Sequence, residues 1–103
     1  MKSGNQPIAR RSERIHVQMP VALHVDSNAQ SDEHAVSTVD LSNNGVRVSA
    51  VPGLFPGQDV TIMVTISGQQ RTIPGRVVWV GLEGTRLDGQ AGIQFFRPVA
   101  PPL

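Results

Sequence analysis

The chain has 103 residues, of which 39% are hydrophobic and 17% charged, with a formal net charge of +1 and no cysteine. That length suits a single domain, and the missing cysteines exclude a disulfide framework, a thiolate nucleophile and a cysteine-ligated zinc site. The small net charge argues against general binding to nucleic acid or a membrane surface, which goes with a broad basic excess.

Charge is nonetheless unevenly placed. Within the first fourteen residues Lys2, Arg10, Arg11 and Arg14 stand against Glu13 alone, a net +3 that leaves −2 for the remainder. Residues 1–13 mix glycine, proline, asparagine and charge without either hydrophobic period, the pattern of a flexible basic arm. They lack the apolar stretch of a signal peptide, and no segment approaches the roughly 20 apolar residues of a membrane helix. A cytoplasmic protein without membrane insertion is expected.

From Ile15 to Val25 every odd position is apolar (Ile15, Val17, Met19, Val21, Leu23, Val25), the period of a half-buried strand, with Pro20 marking an edge or a bulge. A polar loop follows over 26–33. A second strand from His34 to Leu41 places Ala35, Val39 and Leu41 on one face, so Asp40 and Ser42 face outward. The parity then switches: Val46, Val48 and Ala50 are apolar, as expected across a tight connection at Gly45. Residues 51–57 form a loop with two prolines and two glycines.

The clearest alternation is Val60, Ile62, Val64 and Ile66 against Asp59, Thr61, Met63 and Thr65. A hairpin turn at Ser67-Gly68-Gln69-Gln70 leads into a strand from Arg71 to Val80, with a bulge expected at Pro74-Gly75. A loop rich in glycine and charge precedes a last strand over Ala91 to Phe96. RPVAPPL then suits neither sheet nor helix and reads as an extended tail. The pattern predicts an all-β fold, a small six-stranded antiparallel β-barrel over 14–97 with the basic arm before it and a short tail over 98–103. A core of this size corresponds to a stability on the order of 5 kcal/mol or a little more.

Two local patterns carry chemistry. Arg10 and Arg14 form RxxxR, and in an extended arm this spacing spans roughly 13 Å, so two planar guanidinium forks can grip one ligand at phosphate oxygens or at guanine O6 and N7. Asp40, Ser42 and Gly45 form DxSxxG, with a carboxylate able to accept from the N1–H and amino group of guanine and a hydroxyl beside it. Each pattern also has an ordinary explanation: a solvated basic tail for the first, and for the second a turn in which Gly45 supplies positive φ.

Catalysis is not expected. His34, Asp40 and Ser42 project from one strand without the contact between nucleophile and base that a hydrolase needs, and His16, His24 and His34 form no i, i+4 metal pair. Single-stranded nucleic acid is disfavoured as a partner because such surfaces use several aromatic platforms and a basic groove, whereas this chain has 4% aromatics and a slightly acidic body.

The segments RRSERIHVQMPVALHV, VSTVDLSNNGVRVSA, VPGLFPGQDVTIMVTI, GRVVWVG and AGIQF, in that order, resemble a PilZ domain over roughly Arg10 to Phe96. The resemblance implies a six-stranded barrel that binds the bacterial second messenger cyclic di-GMP, with no other cofactor. Arg10 and Arg14 match the family's arginine motif, and Asp40, Ser42 and Gly45 match DxSxxG. Arg11, Asn44 and Trp79 are further candidates: Arg11 through a phosphate or a second ligand molecule, Trp79 as a border to the bases, though each also fits a solvated charge or ordinary packing.

Further expectations from the resemblance are a monomer or weak dimer, an unidentified downstream protein partner, and a role in motility, exopolysaccharide synthesis or biofilm formation. The arm is expected to become ordered as the nucleotide binds, relaying the signal. The alternative is a PilZ-like adaptor that does not bind nucleotide. Many family members add a helix after the last strand; RPVAPPL offers little or none.

Overall fold

The computed structural model describes residues 14–26, 32–49 and 53–99. They form seven strands: β1 (Ile15–His16), β2 (Pro20–Val25), β3 (Asp32–Leu41), β4 (Gly45–Ser49), β5 (Asp59–Ile66), β6 (Gln69–Val80) and β7 (Gln90–Phe95). No helix occurs among the described residues. Every pairing is antiparallel, in the order β1-β3-β2-β5-β6-β7-β4, and β4 returns to β3. The result is the expected six-stranded barrel, closed by β3–β4, with β1 as an extra strand on β3. Closure leaves the barrel strands without the continuous open edges of a flat sheet.

The interior is built from the alternating positions: Val21, Leu23, Val25, Val46, Val48, Val60, Ile62, Val64, Ile73, Val77, Ile93 and Phe95 are buried in one cluster. Compact β-branched side chains suit this narrow lumen because they fill a pleated surface at little rotamer cost.

The sequence expectation fails at four places, each with a local cause. The first predicted strand is two strands, since residues 17–19 leave the ladder ahead of Pro20, and Ile15 is 63% exposed. The break is mended from inside by Thr38, which is 1% exposed. Its hydroxyl donates to the Val17 carbonyl and accepts from the Met19 N–H at 3.0 Å, while its own N–H donates to the Met19 carbonyl at 3.0 Å.

On β3 the inward residues are Val36 and Thr38, with Ala35 exposed, the reverse of the predicted parity. An irregularity between Thr38 and Asp40 then shifts the register by one residue, so Leu41 returns to the core and Asp40 to the outer face. Asp40 thus faces outward as predicted, for a reason the alternation alone does not contain.

On β6 the predicted bulge at Pro74-Gly75 is absent: the β5 ladder runs unbroken through Thr61–Pro74 and Val60–Gly75. The irregularity lies further on, between Val77 and Trp79 in the pairing with β7. It makes Val78 the extra residue and returns Trp79 to the outer face.

Gly45, finally, is not among the residues with positive φ. A Cβ there would lie 2.5 Å from the Ile93 carbonyl oxygen of β7, so the position demands glycine through the close approach of two backbones.

Candidate functional site

The two register shifts place residues from four strands on one outer row. Asp40 pairs with Arg47, Arg47 with Gly92, and Gly92 with Trp79, across β3, β4, β7 and β6. Without its shift Asp40 would share Thr38's inward face, and Trp79 would share that of Val77. Bulges recur beside functional sites because one inserted residue re-aims a side chain at small cost to the ladder.

Around this row opens a cavity of about 460 Å³, lined among others by Arg14, Asp40, Ser42, Arg47, Trp79 and Gln94. Trp79 lies flat over Gly92: a Cβ at residue 92 would fall 2.1 Å from the indole Nε1. A bare backbone at that point lets the ring lie against the barrel wall and form part of the cavity floor.

Asp40 is the electrostatic centre. Its side chain is 2% exposed, yet it carries two guanidiniums. Arg14 donates from Nε to Oδ1 at 3.0 Å and brings Nη2 to the same oxygen at 2.8 Å, and Nη2 of Arg47 binds Oδ2. Burial by itself pushes the carboxyl's pKa up, but the hydrogen bonds from Arg14 and Arg47, together with their positive charges, outweigh it and hold the group below its ordinary value. The carboxylate is therefore ionised at neutral pH and fixes both arginines at the cavity rim.

Ser42 and Gly45 act at the base of the turn. The Ser42 N–H donates to the Gly45 carbonyl at 2.9 Å, and the Asn44 N–H donates to Ser42 Oγ at 3.2 Å. The Ser42 hydroxyl is thus a turn-former, as its ordinary reading predicts, and at the same time lines the cavity. The carbonyls of Asn43 and Asn44 accept from the N–H groups of Val99 at 2.7 Å and Phe95 at 2.8 Å, tying the turn to the end of β7.

Of the sequence candidates, Arg14, Asp40, Ser42, Asn44, Gly45 and Trp79 meet at this one cavity. Arg10 and Arg11 lie outside the described residues. Sequence reasoning missed Arg47 and Gln94. Arg47 carries a readable signal, since a turn centred on residues 42–45 puts it directly opposite Asp40, and opposite charges are favoured in such cross-strand pairs. Gln94 is an exposed polar residue in an alternating strand and carries no distinguishing mark.

The family model for the PilZ domain matches residues 9–102 of the chain. The chain is similar in structure to the PilZ domain of CeSA from a cellulose-synthesizing bacterium, with a TM-score of 0.67 and 23% sequence identity over 82% of this chain and 80% of that one. At that identity the likeness is one of fold. No curated protein matches the chain in sequence.

Proposed function

Because the chain belongs to the PilZ family, in general a family of cyclic di-GMP receptors, we propose that its cavity binds cyclic di-GMP and that the protein acts as a receptor, not as a catalyst. The observation that carries this reading is convergence: Arg14 of RxxxR and Asp40, Ser42 and Gly45 of DxSxxG, distant in sequence, surround one cavity with Arg47 and Trp79. Guanidinium forks suit phosphate oxygens and the O6/N7 edge of guanine, and an indole face suits a base.

The ion pairs support a particular part for Asp40. Both of its oxygens already hold arginines, so a guanine N1–H and amino group must share or displace the Arg14 bonds at Oδ1. Asp40 serves first as an anchor that orients Arg14 and Arg47, reducing the rotamer freedom that ligand binding would otherwise remove. Arg10 then reaches the ligand from the arm, whose ordering changes the surface offered to a partner protein and relays the signal.

Calorimetry with cyclic di-GMP, beside GTP and cyclic GMP, tests the reading. Selective binding to cyclic di-GMP is expected, weakened about tenfold or more in Arg14→Ala and Asp40→Ala. NMR of the arm tests the ordering: Arg10 to Arg14 should lose mobility on titration. No binding to cyclic di-GMP would leave the family's other possibility, an adaptor working through protein contacts alone.

A further inference from the structure

β6 is paired on both sides for only part of its length. Its ladder with β5 covers Gln69 to Arg76, whereas its ladder with β7 starts at Gly75. From Gln69 to Ile73 one edge of β6 has no strand beside it among the described residues. The hairpin geometry identifies which backbone groups point that way.

Ser67 and Gly68 both have positive φ, 52° and 80°, which makes the β5–β6 connection a two-residue type I′ turn. The closing pair Ile66–Gln69 of such a turn is hydrogen-bonded, and hydrogen-bonded and open pairs then alternate. Gln70, Thr72 and Pro74 therefore direct their backbone groups away from β5. Two facts agree with this phase: Pro74 has no N–H to lose on that side, and its carbonyl accepts from the Phe96 N–H at 3.2 Å. After Phe96 the chain turns off toward Asn43, where Val99 is bound, so the N–H and C=O groups of Gln70 and Thr72 continue the line that β7 abandons.

Beside this edge lies a groove of about 260 Å³, lined by Arg71, Ile73, Phe96, Arg97 and Val99 among others. Phe96 is 51% exposed. Arg71 and Arg97 have no carboxylate partner among the described residues, unlike Arg14, Arg47 and Arg76, which all do. An open row of backbone donors and acceptors, an apolar wall and two available cations are what an added strand with negative side chains requires.

We propose that the β6 edge at Gln70 and Thr72, with the groove beside it, is a docking surface for an extended acidic segment of a partner protein, which adds as a strand antiparallel to β6. Carboxylates on the segment pair with Arg71 and Arg97, and β-branched apolar residues in alternation with them cover Phe96 and Val99. The surface is separate from the cavity of Arg14, Asp40 and Arg47, and the proposal does not rest on nucleotide binding.

The test is a display selection from random dodecapeptides against the full chain, followed by titration of the recovered peptides into the wild type, Thr72→Pro, and the double variant R71E/R97E. Thr72→Pro removes one outward N–H and no bond to β5, as Pro74 already does two residues on, so thermal melting should change little. Recovered peptides should be rich in Asp and Glu alternating with β-branched residues. Their binding should weaken about tenfold or more in Thr72→Pro and in the double variant. Hydrogen exchange should show the Gln70 and Thr72 amides fast in the free protein and protected by peptide.

Peptides that bind Thr72→Pro and R71E/R97E as well as the wild type, or a selection without acidic sequences, would overturn the proposal. So would amides already protected in the isolated chain, which would mean that another part of the chain covers the edge. Sedimentation showing a dimer that Thr72→Pro dissociates would overturn it too, by assigning the edge to a second copy.

Discussion

Asp40→Asn is the substitution that most directly measures the electrostatic centre. It preserves size and shape, removes the charge, and leaves two guanidiniums facing a neutral amide. Arg47, 28% exposed, makes the better-shielded bond, worth about 1.5 to 3 kcal/mol as a charge-assisted hydrogen bond. Arg14, 45% exposed, is screened by water, so its share is about 0.5 to 1 kcal/mol. Against these stands the desolvation of the carboxylate, which the amide relieves in part. The net expectation is a loss of about 2 kcal/mol at pH 7, or roughly 10 °C in Tm for a domain of this size.

The pH dependence separates this cause from mere loss of fit. The folded-state pKa of Asp40 is depressed, so its contribution is fully present above the unfolded-state value near 3.8 and is lost as pH falls through the lower folded-state value. Urea unfolding of wild type and Asp40→Asn should therefore differ by the full amount at pH 7. The difference should shrink steadily below the ordinary carboxylate pKa and close once Asp40 is protonated in both states. A difference that stays constant down to strongly acid pH, or an Asp40→Asn protein as stable as wild type at pH 7, would refute the argument.

Other consequences are local. Gly92→Ala puts a methyl where the Trp79 indole rests, so the single tryptophan should swing outward and its fluorescence emission move to the red; an unchanged spectrum would contradict the packing. Thr38→Val keeps the shape but strips partners from the Met19 N–H and the Val17 carbonyl, costing about 2 kcal/mol by urea titration and speeding exchange of the Met19 amide. Ser67→Asn places a residue tolerant of positive φ in the type I′ turn and should stabilise the barrel by about 0.5 to 1 kcal/mol, seen as a higher Tm.

The fold was legible where alternation ran without interruption. Val60, Ile62 and Val64 all point inward as the period requires, and the switch of parity into Val46 and Val48 marks the β3–β4 turn. Legibility failed where a backbone irregularity changes phase. Nothing in Ala-Val-Ser-Thr-Val-Asp announces that Thr38 enters the core, because a buried hydroxyl is intelligible only beside the break at residues 17–19 that it repairs. No bulge is needed at Pro74-Gly75 because Pro74 directs its missing donor away from β5, where no ladder needs it; the irregularity falls instead at Val78.

The same division holds for the site. Length, composition and period by themselves pointed to an all-β fold with a closed antiparallel barrel as its economical form, since curling one sheet onto itself buries an alternating apolar face and removes the exposed edges. The motifs also singled out Arg14, Asp40, Ser42 and Gly45 as candidates, the first three through donor and acceptor chemistry visible in the residue types. Only the tertiary structure decided how they are arranged. Gly45 is needed for a close approach to Ile93, a contact 48 residues away in the chain, and Arg47 and Trp79 join the site through cross-strand pairing with Asp40 and Gly92. Such partners are set by register, and register depends on bulges whose position is settled by packing between strands, not within them.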